Sequence, residues 1–161
     1  MPWRNFLLTI HILGAVLIFG PTFAYAFIGA QAKKEGAPVA WALRLVDFIE
    51  DKWVTPMALT LQPLSGALLI LDSKDLHNPF KSQGRWLFAA IILYIVAIGY
   101  AIFVQGRTAK KALHLAEANQ FGPEFGGLMK KVAIGGQFLT VLLIAIIVLM
   151  VVKPGSGVVH L

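Results

Sequence analysis

NFLLTIHILGAVLIFGPTFAYAFIGAQA, residues 5–32, runs for 28 residues without a formal charge. At about 1.5 Å per residue, a helix of that length exceeds the roughly 30 Å hydrocarbon core of a bilayer and spans it with some tilt. Its polar side chains are not scattered. His11, Thr22 and Tyr25 fall in register through Ala15, Ile18 and Gly29, in steps of four and three that stack on one helical face. A helix with one polar stripe needs other helices to cover it in lipid, and the rest of the chain supplies three.

Working outward, the composition agrees. Of 161 residues, 58% are hydrophobic and 14% charged, where soluble domains carry about 25% charge. The apolar residues gather into runs of about twenty, the mark of a membrane protein rather than of a large soluble core. The formal charge of +6 comes from Lys and Arg beside those runs. They form no patch interleaved with aromatics, so no nucleic-acid partner is expected, and the bilayer itself is the expected partner. With no cysteine there is no disulfide, thiolate nucleophile or Cys-based metal site. The N-terminal run reads as a span rather than a leader. It is longer than a 7–15-residue signal core, Gly20-Pro21 interrupts it, and the stronger charge, Lys33-Lys34, follows it.

The remaining elements follow from breakers and periodicity. Gly36 and Pro38 end the first span, and residues 41–53 read as a short amphipathic helix at the membrane interface, flanked by Trp41 and Trp53. Uncharged runs then place spans at about 53–71, 86–106 and 132–152, after a first at about 6–32. Pro56 and Pro63 bend the second span, and the third continues as a helix through residues 107–119. The predicted fold is therefore all-α: one domain, a bundle of four transmembrane helices with an interfacial amphipathic helix before the second span. Nine Lys and Arg lie on the side of the first and third loops against five on the other. By the positive-inside rule both termini lie outside the cytoplasm.

Six polar residues fall within the spans at depths that could form a string: His11, Gln62, Ser65, Tyr94, Gln137 and Thr140. An intramembrane His is a functional hypothesis by default, since it titrates near neutral pH. The competing reading is that Gln, Ser and Thr are interhelical glue. A haem b ligated by His11, alone or paired with His77, is one cofactor reading; a metal cluster of His11, His77 and His160 is another, without the fixed spacing of a zinc motif. Asp47, Glu50 and Asp51 could gate cations at the cytoplasmic mouth; the competing reading is a solvated interfacial face paired internally with Arg44 and Lys52. Gly14, Gly20 and Gly29, with Gly135-Gly136, read as points of close helix approach.

HILGAVLIFG, residues 11–20, with a His early in the first of four spans, resembles a broad bacterial group of small integral membrane proteins. The group includes a domain-of-unknown-function family of about this length, copper-resistance-D-like domains and the four-helix membrane protoporphyrinogen oxidase. His11, Gly14 and Gly20 carry the resemblance. The oxidase pattern of an arginine and aromatics after the glycine is replaced here by Pro21-Thr22-Phe23, and the methionines make no copper-binding repeat. The unknown-function branch is the better match. The reading that follows is a multi-pass bacterial inner-membrane protein of unassigned activity, a structural or accessory component, partnered by the bilayer and by other membrane proteins or by itself. The alternative it implies is a haem-binding or redox protein using His11.

Overall fold

A computed structural model of the chain describes residues 2–34, 38–72 and 84–154. Among them there are helices and no strands: α1 (Pro2–Lys34), α2 (Val39–Ile49), α3 (Thr55–Leu59), α4 (Leu61–Leu71), α5 (Arg85–Tyr100), α6 (Arg107–Glu117) and α7 (Pro123–Val152). They line up as four rods long and apolar enough to cross a membrane: Trp3–Gln31 (rod I), Val39–Leu71 (II), Arg85–Glu117 (III) and Pro123–Val152 (IV). Four helices long and apolar enough to span are thus present, as an all-α membrane bundle requires. The surface confirms their setting, because Phe27, Trp53, Ile95, Val141 and Val151 are all exposed. In a water-soluble protein so large an apolar surface would be an aggregation site.

Rod II departs from the expected break. The amphipathic helix before the second span is present as α2, but it runs on through a π turn, Glu50–Val54, into α3 and α4. Pro56 is the physical reason for the wider turn. Its ring would crowd the Lys52 carbonyl in continuous α geometry, and the chain instead bonds the Thr55 N–H back to the Glu50 carbonyl. A second irregularity falls at Thr60 (φ −119°), just before Pro63. There the Thr60 hydroxyl donates to the Pro56 carbonyl at 2.7 Å.

Rod III is likewise continuous, through a second π turn at Ala101–Gly106. A Cβ at position 106 would lie 3.2 Å from the Ala101 carbonyl oxygen, a crowding that glycine avoids. α6 ends in a Schellman motif: Asn119 takes a left-handed conformation (φ 56°), its N–H bonds the Ala116 carbonyl, and the Gln120 N–H bonds the Leu115 carbonyl. Gly122 and Pro123 then start α7, with proline at the first turn where its missing N–H costs nothing.

Rods I and II form an antiparallel hairpin through α1–α4 and α1–α2, and rods III and IV another through α5–α7 and α6–α7. The two hairpins join mainly at α2–α6; Ala42 on α2 and Ala112 and Ala116 on α6 are buried, small side chains that let packed helices approach. Two ion pairs flank that seam, Arg44–Glu117 at 2.6 Å and Lys110–Asp51 at 2.7 Å. The acidic face is thus not internally paired: Asp51 reaches across to rod III, and Arg44 bonds Glu117 rather than a neighbour on its own helix. Deeper in the bundle, Ile18, Val54 and Ala58 form an apolar cluster with Phe19, Ile49, Met57 and Ile98.

Candidate functional site

The polar stripe of α1 faces rod II from His11 to Tyr25. His11 meets Gln62 and Ser65, Gly14 meets Leu61, Ile18 meets Val54 and Ala58, and Tyr25 faces Glu50. One number climbs as the other falls, as antiparallel packing requires. His11 Nδ1 lies 2.9 Å from Ser65 Oγ, and His11 Nε2 lies 3.2 Å from Gln62 Nε2. The amide N–H donates to Nε2, so Nδ1 carries the proton and donates to the Ser65 hydroxyl. Ser65 in turn donates to the Leu61 carbonyl at 2.7 Å. Every donor in this chain has an acceptor. Within this cluster Gln62 Oε1, buried beside Gly14, has no hydrogen bond.

Small residues make the cluster fit. A Cβ at Gly14 would lie 2.9 Å from Gln62 Oε1, and one at Gly66 would lie 3.2 Å from His11 Cε1. Gln62 and Ser65 are both buried. The imidazole is clamped between one helix turn of α4 and the missing side chain of Gly66, with both ring nitrogens engaged. It therefore offers no free nitrogen to a haem iron or other metal without breaking one of these bonds.

The six-residue string is only partly assembled. His11, Gln62 and Ser65 come together. The Tyr94 hydroxyl donates to the Ala58 carbonyl, one turn along rod II from Gln62, and joins the two hairpins there. Thr140 donates to the Gly136 carbonyl of its own helix at 2.9 Å. Gln137 faces outward from rod IV and is exposed. The apolar cluster around Ile18 and Val54 separates the His11 group from the pairing of Tyr25 with Glu50, so these polar groups form no continuous line. Tyr25, whose hydroxyl is buried, faces the Glu50 carboxylate without a hydrogen bond of ordinary geometry.

A second polar contact was not anticipated. Gln105, in the π turn of rod III, donates to the Val132 carbonyl of rod IV at 2.9 Å. Its Oε1 and the Tyr100 hydroxyl close over Gly135, where a Cβ would lie 2.1 and 2.8 Å from them. The Gly135-Gly136 pair was the available signal for it, since only a missing side chain on rod IV leaves room for an amide from rod III. Of the five glycines marked for close approach, Gly14 and Gly135 serve it. Gly136 stands at the margin, and Gly20 and Gly29 face open space.

His114 is exposed on α6, while His77 and His160 lie outside the described residues. Among the described residues no three His, Cys, Asp or Glu side chains are grouped to hold a metal. Among the described residues the arrangement is one of polar contacts between helix pairs. The sequence profile of a family described as "Predicted integral membrane protein (DUF2269)" matches residues 5–154. No curated protein and no solved structure matches the chain. The profile covers nearly all of the sequence, and the chain belongs to this family of integral membrane proteins.

Proposed function

We propose that this member of the family is a multi-pass protein of the bacterial inner membrane that acts as a structural or accessory component, with both termini outside the cytoplasm. The observation that supports it is how His11 is used. Both ring nitrogens are bonded to rod II, so the residue works as a lock between helices, worth about 0.6 kcal/mol per such bond on average. Rods II and III each run 33 residues, or about 50 Å, against a core of roughly 30 Å. Their α2 and α6 ends extend past the membrane as a joined helical head, a surface through which other membrane proteins are engaged.

The test is copurification from native membranes in mild detergent, comparing the parent with His11→Gln. The expected result is the same stoichiometric partner with both chains and a featureless visible spectrum from each. A chromophore carried by the parent and lost in a folded His11→Gln variant would overturn the reading. Orientation is checked by single cysteines in this cysteine-free chain. Asp72→Cys is expected to label from outside and Lys111→Cys only after the membrane is opened; both positions are exposed.

A further inference from the structure

The polar side chains of the rods are almost all turned to internal use. The hydroxyls of Thr9, Thr22, Thr60, Thr108 and Thr140 each donate to a carbonyl of their own rod. The amide of Gln62 bonds His11 and that of Gln105 bonds the Val132 carbonyl. Gln137 differs. It is exposed on the outer face of α7 and makes no hydrogen bond. It lies five residues inside the apolar run that begins at Val132, about 8 Å along the helix, and so faces hydrocarbon. An unpaired amide there costs several kcal/mol relative to a bonded one.

The residues around it form a regular seam. Ile134, Gln137, Val141, Ile144, Val148 and Val151 recur at alternating steps of three and four, and all are exposed. This is the heptad spacing of a helix pair, held over five steps. Apart from Gln137 every member is β-branched, a composition that packs as stiff knobs. A single polar residue within such a seam fixes register and partner number.

We propose that rod IV pairs with rod IV of a second copy of this chain through this seam, Gln137 bonding Gln137. A second copy is the occupant the chemistry selects. Copies inserted in the same direction are related by a two-fold axis along the membrane normal, which sets Gln137 against Gln137 at one depth. A carboxamide is at once donor and acceptor, so two of them satisfy each other with no third group. The β-branched residues meet their own counterparts in the same register.

The test is disulfide cross-linking of the full chain in native membranes, which needs no removal of existing cysteines. Val141→Cys, one turn from Gln137, is expected to cross-link to a dimer under mild oxidation. Ile95→Cys, equally exposed at 64% but on α5, is expected to cross-link little. Adding Gln137→Leu to Val141→Cys should lower the cross-linked fraction, corresponding to an association constant about three- to tenfold weaker. Gln137→Asn should retain it. Because position 137 faces outward, these variants are expected to keep parental helix content and melting behaviour. The inference is overturned if Val141→Cys cross-links no more than Ile95→Cys, if Gln137→Leu leaves the fraction unchanged, or if Val141→Cys cross-links instead to a different polypeptide.

Discussion

Gly14 and Gly20 stand six residues apart on one helix and have opposite tasks. A methyl at Gly14 would press on Gln62 Oε1 and, at 3.3 Å, on the Leu61 side chain, whereas Gly20 has nothing within 4 Å. Gly14→Ala is therefore expected to lower the thermal stability of the detergent-solubilised protein by about 1–3 kcal/mol through overpacking. Gly20→Ala is expected to be neutral, or stabilising by up to about 1 kcal/mol through helix propensity. Equal losses in a melting assay would show that Gly14 is not a contact point. Ser65→Ala is expected to cost about 1–2 kcal/mol, because it leaves His11 Nδ1 without its acceptor. The sequence showed that His11, Gly14 and Gln62 were unusual, and the stripe on α1 showed which side they faced. It did not show which partner each would find, since that depends on the register of one helix against another.

At the scale of elements, the head formed by α2 and α6 has two sources of cohesion that can be weighed. The Lys110–Asp51 pair is about half exposed on both sides, and such a pair is worth about 0–1 kcal/mol and less in salt. Ala112 and Ala116 are almost fully buried, and enlarging either forces the helices apart. Lys110→Ala is thus expected to shift stability by less than about 1 kcal/mol, and Ala112→Leu to cost about 1–3 kcal/mol. The reverse order in denaturation measurements would make the ion pairs the main fastening. The amphipathic character of α2 and the helicity of α6 were legible in their periodicity. Their contact was not, because the charges of α2 are as easily paired along the helix as across it. The continuity of rod II was hidden for a related reason. Pro56 signals a bend, but a π turn absorbs it without ending the helix.

For the molecule as a whole, four uncharged runs were enough to assign an all-α membrane protein, because in hydrocarbon a backbone has few other ways to satisfy itself. Hydropathy has no direction within such a run, and for that reason the outward aim of Gln137 could be seen only once the rods were packed. The π turn at Ala101–Gly106 has an effect that reaches past its own residues. It sets the phase between α5, which packs on α7, and α6, which packs on both α7 and α2. One residue advances a helix by about 100°. Deleting a residue from the wide turn itself would restore plain α geometry and leave that phase nearly unchanged, whereas inserting one between Arg107 and Thr108, in plain α geometry, would rotate α6 by that angle. Ala112 and Ala116 would swing out of the seam, and Lys110 would turn away from Asp51, with no interfacial side chain altered. The head of this protein is thus aimed by a count of residues, and a one-residue insertion at the start of α6 is expected to uncouple it from the bundle while the four spans stay in place.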